Sequence, residues 1–120
     1  MIQIFGHAKC KGTRAAARFF SDRRVKVHEV DLTQKGLAKG ELDSVARAVG
    51  GVARLYDAGG AHAKARGLAH AGLSDDRLRD LLLADARLLL TPIVRLGARA
   101  AVGVDEAAWR AFADELKQAR

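Results

Sequence analysis

"MIQIFGHAKCKGTRAAARFF", residues 1–20, decides the fold. It begins with "MIQIF", where apolar and polar residues alternate as they do along a short strand. It ends with Ala15, Ala16, Phe19 and Phe20 at three- and four-residue spacing, the apolar face of a helix over 11–22, with Arg14 and Arg18 beside it. Between them lies a polar turn holding Cys10, the one cysteine of the chain. "VKVHEVDL", residues 25–32, alternates again: Val25 and Val27, then Val30 and Leu32 after a shift in phase. Strand, helix, strand is the grammar of a parallel βαβ unit.

Further on, residues 33–54 read as helical after "TQKG", with Leu42, Val45, Ala46 and Val49 as the buried face. Gly50 and Gly51 stop that helix. "LYDAGGAHAKARGLAHAGL" is broken by glycines and reads as loop with a short helix near 61–66. Ser74 suits an N-cap, and Asp75 and Asp76 suit the first turn of a helix running to about residue 85 on Leu78, Leu81 and Leu82. Pro92 then opens the strand Ile93–Leu96. Gly97 permits a hairpin turn into Ala100–Val102, and Asp105 caps a last helix, 106–118, that buries Ala108, Trp109, Phe112 and Leu116. The order β-α-β-α-(α-α)-β-β-α describes an α/β fold of thioredoxin-like layout. Its mixed sheet has two parallel strands plus a hairpin, with a helical insertion between them.

The 120 residues suit one domain, 1–120, with 49% hydrophobic and 29% charged residues as in an ordinary globular chain. No apolar run approaches the length of a membrane span, and the first residues lack the marks of a signal peptide. A lone cysteine implies no oxidising compartment, so a cytoplasmic address is expected. The net charge is +7, and its placement is uneven. Residues 1–40 hold nine Lys/Arg against three Asp/Glu, while the rest of the chain is nearly balanced. With no dense basic tract and few aromatic platforms, no nucleic-acid partner is expected, and no membrane partner either. The excess suits an oxyanion, an anionic thiol such as glutathione, or an acidic protein surface.

A thiolate is the attacking form of cysteine, and a free thiol titrates near pH ~8.5. Cys10 stands at a helix start with Lys9, Lys11 and Arg14 around it, and both features favour the thiolate. The amides of Lys11, Gly12 and Thr13 suit an anion there, with Gly12 allowing close approach. A buried structural thiol is the alternative, but Cys10 lies outside any apolar stripe. Thr91 precedes Pro92. A cis bond would let Thr91 offer its N–H and C=O to an extended substrate, whereas an ordinary trans proline at a strand start would not. His7 and Lys9 are auxiliary candidates at the cysteine. His28, His62 and His70 show no ligand spacing, so no metal is expected. Gly59-Gly60 lacks the rest of a phosphate loop and reads as a turn.

Taken together, "IFGHAKCKGTR", "LYDAGGAHAKARGL", "LSDDRL" and "TPIV…VGVDEAAW" resemble the arsenate reductase family, with its Spx-type and nitrogenase-associated relatives, over about residues 2–112. The resemblance implies Cys10 as the reactive cysteine and Pro92 in cis. It also implies that Arg14 helps bind an anion or thiolate. The chain departs from the family where arsenate-reducing members carry further arginines. Thr91 stands before Pro92, Asp57 stands in the middle loop with Arg54 out of register, and Val102-Gly103 stands in the closing hairpin. His7-Ala8 replaces the usual Asn-Pro. Each charged hydrogen bond to an anion contributes about 1.5–3 kcal/mol, so arsenate itself is doubtful as substrate. Thr13 occupies the position of the second cysteine in Spx-type members, which excludes a CxxC switch. An external thiol, glutathione or glutaredoxin, must then regenerate Cys10, with no bound cofactor. Two readings stay open. One is a single-cysteine reductase acting on a small thiol or oxyanion substrate. The other is a non-catalytic, Spx-like module binding an acidic protein partner.

Overall fold

In the computed structural model, which describes residues 1–68 and 72–118, four strands form one sheet. They are β1 (Ile2–Gly6), β2 (Val27–Asp31), β3 (Ile93–Leu96) and β4 (Arg99–Val102), in the order β2-β1-β3-β4. β1 runs parallel to β2 and antiparallel to β3, and β3 and β4 form an antiparallel hairpin. Gly97 takes a φ of +60° at its turn, a value glycine adopts without cost. This is the thioredoxin-like mixed sheet that the order of elements predicts.

The helices cover both faces. α1 (Lys11–Asp22) and α5 (Glu106–Gln118) pack on one side, where Phe19, Phe20, Trp109 and Phe112 surround Ile2, Ile4 and Val94. α2 (Lys39–Val49), α3 (Ala61–Ala65) and α4 (Asp75–Ala84) pack on the other, where Leu42, Val45, Leu78 and Leu82 surround Phe5 and Ile93. β1 and β3 therefore carry apolar residues toward both layers, as central strands must. The phase shift in "VKVHEVDL" has the same cause. Val25 and Val27 pack with the α1/α5 layer, Val30 and Leu32 with the opposite layer, so the edge strand changes face along its length.

The chain from 33 to 54 differs from expectation. Helix α2 begins only at Lys39. Before it, the Asp31 carboxylate accepts from the Thr33 amide at 2.9 Å and its hydroxyl at 2.7 Å, which holds a turn instead. Glu41 accepts from the Ala38 amide at 2.9 Å and marks the new start. Gly50, at φ +98°, ends α2, and Val52–Leu55 forms a separate 3-10 turn. Elsewhere the caps are as expected: Ser74 Oγ accepts from the Arg77 amide and Asp105 Oδ1 from the Ala108 amide.

Candidate active site around Cys10

Because β1 and β3 are antiparallel neighbours, the end of β1 and the start of β3 fall at the same edge of the sheet. Phe5 pairs with Ile93, so the turn after Gly6 meets Thr91 and Pro92. Cys10 is the N-cap residue of α1, its carbonyl accepting from the Arg14 amide at 3.1 Å. The Thr91–Pro92 bond is cis. Thr91 Oγ1 donates to Cys10 Sγ at 3.1 Å, and the thiol is aimed at the Thr91 carbonyl oxygen at a longer 3.6 Å.

The sulfur is half-buried, and burial is the largest single influence on its titration, pushing the thiol up. Polar groups around the sulfur outweigh it. The nearby hydroxyls of Thr13 and Thr91 and the amides of Thr13 and Gly12 together leave the Cys10 pKa below its ordinary value, although only Thr91 Oγ1 stands in hydrogen-bond geometry to the sulfur. The amide contribution is the expected one. The two hydroxyls are not visible as a sulfur contact in the sequence. Thr13 is buried on the inner face of α1, and among the described residues its Oγ1 has no hydrogen-bond partner, so it acts on the sulfur from nearby without a formed bond. A polar residue on an otherwise apolar helix face was the available signal. Thr91 approaches from 81 residues away.

Gly12 has a packing reason of its own. A Cβ there would lie 2.9 Å from Pro92 Cδ and 3.1 Å from Val104 Cγ2, so its hydrogen is what lets α1 sit against the proline. Arg14 is exposed and donates to the Ala8 carbonyl at 2.6 Å, tying the cysteine turn to the first turn of α1. Lys9 and Lys11 are exposed, and hydrogen bonds rather than their charges lower the thiol. His7 lines a cavity of about 300 Å³ with Thr13, Arg14 and Asp31, on the β2 side of the turn.

The other residues raised by the sequence lie apart from the sulfur. Arg54 packs over Gly50, and Asp57 over Gly60. His28 is exposed on β2 and His70 lies outside the described residues. His62 binds Asp85 at 2.5 Å, and Arg66 and Arg87 bind the same carboxylate. Among the described residues, no group of three His, Cys, Asp or Glu side chains is arranged to hold a metal ion.

The ArsC family model matches residues 5–112, from β1 through Phe112 in α5. The chain belongs to the ArsC family. Solved structures share the fold of this ArsC family chain at low identity. The YFFB protein is 20% identical with a TM-score of 0.81, covering 92% of this chain and 97% of its own. An arsenate reductase from Vibrio cholerae is 20% identical with a TM-score of 0.75, covering 85% and 88%. An arsenate reductase (ArsC) related protein from Brucella melitensis is 19% identical with a TM-score of 0.68, covering 92% of each. No curated protein matches the chain.

Proposed function

We propose that this ArsC family chain is a single-cysteine thiol–disulfide reductase of the cytoplasm, regenerated by glutathione or by glutaredoxin. The Cys10 thiolate attacks one sulfur of a mixed disulfide between glutathione and a small thiol. A new S–S bond forms to Cys10, and the small thiol leaves as a thiolate that takes a proton from water. A second glutathione thiolate attacks the Cys10-bound sulfur, oxidised glutathione departs, and Cys10 is released as the thiolate. In sum, one glutathione thiol and the mixed disulfide become oxidised glutathione and the free small thiol, so atoms and electrons balance.

The observation that carries this reading is the Thr91 Oγ1 hydroxyl, which donates to Cys10 Sγ at 3.1 Å from across the sheet. A binding module has no use for a sulfur at a helix start, held by Thr91 Oγ1 and with its pKa lowered. Arsenate is a weaker substrate. Arg14 is the one arginine in the cysteine turn, and its Nη1 is engaged with Ala8.

Reduction of bis(2-hydroxyethyl) disulfide by glutathione, followed through NADPH and glutathione reductase, tests the reading. The wild-type chain turns over and Cys10→Ser does not. Equal rates for the two, or no turnover by either, would remove the enzyme reading and leave the binding module.

A further inference from the structure

At the end of the sheet opposite Cys10, a cavity of about 400 Å³ opens between the α1–β2 connection and the last turns of α5. Met1, Val25 and Leu116 form an apolar floor. Arg23, Arg24, Lys26 and Lys117 stand around it, and no carboxylate among the described residues lines it. Its volume lies within the range of ordinary ligand pockets, roughly 300–1,000 Å³. The cavity continues past Arg24 and Lys26 into a second of about 610 Å³, which runs between α1 and β2 with Arg18 and Glu29 on its walls. β2 is the edge strand of the sheet, and its outer side meets no strand among the described residues.

Three further observations bear on what fits there. Met1 is 72% exposed, an unusual position for a large apolar side chain. Arg23 is laid over the Phe19 ring at 3.6 Å and donates to the Phe19 carbonyl, so its cation is preset at the rim and ordered before any partner arrives. Arg24 holds a φ of +57°, a conformation glycine would take more easily. The ring of cations asks for carboxylates or phosphates, the floor for an apolar side chain, and the long shape for an extended chain. The neighbouring aromatics Phe20 and Trp109 are fully buried, so no base could stack on them.

We infer that this groove docks an acidic, extended peptide segment of a partner protein, with an apolar side chain seated over Met1, Val25 and Leu116. Such a segment lies along β2, in the manner of strand addition, with its carboxylates against Arg24, Lys26 and Lys117. The five residues of β1 put roughly 17 Å between this groove and the cysteine end, at ~3.3 Å per residue. Docking therefore leaves Cys10 open, and the inference requires nothing of its chemistry.

The probe is a short fluorescein-labelled peptide of alternating glutamate and leucine, followed by fluorescence anisotropy at low salt. It binds the wild-type chain and Cys10→Ser equally. Affinity falls at least about tenfold in Lys26→Glu/Lys117→Glu, since reversing rim charges turns attraction into repulsion. Both lysines are exposed, and an unchanged rate of Cys10 alkylation in the variant confirms its fold. Replacing leucine by serine in the peptide also weakens binding. Absence of binding by the glutamate–leucine peptide overturns the inference, as does equal affinity for the charge-reversed variant. Equal affinity for the serine peptide overturns it as well, by reducing the groove to bare charge. Tighter binding of a single-stranded oligonucleotide would make it a phosphate site instead.

Discussion

Burial and hydrogen bonding oppose each other at Cys10, so removing one donor should be felt directly. Thr91→Val keeps the shape of the side chain and deletes the Oγ1–H that reaches the sulfur. A hydrogen bond to a charged group contributes about 1.5–3 kcal/mol. The Cys10 alkylation midpoint in Thr91→Val should therefore rise, read from iodoacetamide rates against pH. Gly12→Ala acts through sterics. With Pro92 Cδ at 2.9 Å from the new methyl, overpacking of about 1–3 kcal/mol should lower the urea midpoint. The place of Cys10 at a helix start was legible because it stands in a polar turn between a strand and an apolar helix stripe. Its donor was not, because Thr91 meets it only through the antiparallel pairing of β1 with β3. The close packing of Gly12 on Pro92 was not legible, since Pro92 is brought in by the same pairing.

Between residue and molecule, the elements of the insertion are fastened by one carboxylate. Asp85, between α4 and the 3-10 turn Ala86–Leu88, accepts from His62 on α3, from Arg66 just beyond it, and from the Arg87 side chain and amide. Burial works against its ionised form, but these partners hold the Asp85 pKa at about 2. A folded value below the unfolded one means that the stability contribution is full above the unfolded carboxylate pKa. It is lost as pH falls through the folded value, so the window runs from about pH 4 down to about pH 2. Asp85→Asn should destabilise the chain at neutral pH and flatten the acid limb in that window, as measured by urea midpoints against pH. Nothing in "LLLADARLLL" announces this tie, because His62 and Arg66 come from a segment 23 and 19 residues earlier. The late start of α2 has a similar origin. "TQKGLAK" contains residues acceptable to a helix, and the Asp31–Thr33 turn overrides that weak local preference. Helices α1 and α5, by contrast, were legible to the residue, since each carries a long apolar stripe and α5 a capping aspartate.

On the scale of the whole molecule, the basic excess of residues 1–40 divides between two ends of one sheet. Lys9, Lys11 and Arg14 stand at the cysteine end, while Arg23, Arg24 and Lys26 stand at the other. Composition reveals the excess but not the division, which depends on the direction of β1 and α1 within the fold. The cysteine end owes its chemistry to the fold as a whole: α1 supplies amides and Thr13, and the start of β3 supplies Thr91. Unfolding should therefore abolish what is special about Cys10. The decisive measurement is the pH dependence of alkylation of this single cysteine, in the folded chain and in the same chain unfolded by urea. The folded midpoint should lie clearly below that of the unfolded chain, which should sit near the free-thiol value of ~8.5. A folded midpoint equal to or above the unfolded one would show that burial outweighs the polar groups around the sulfur, and would contradict the assignment of Cys10 as a nucleophile.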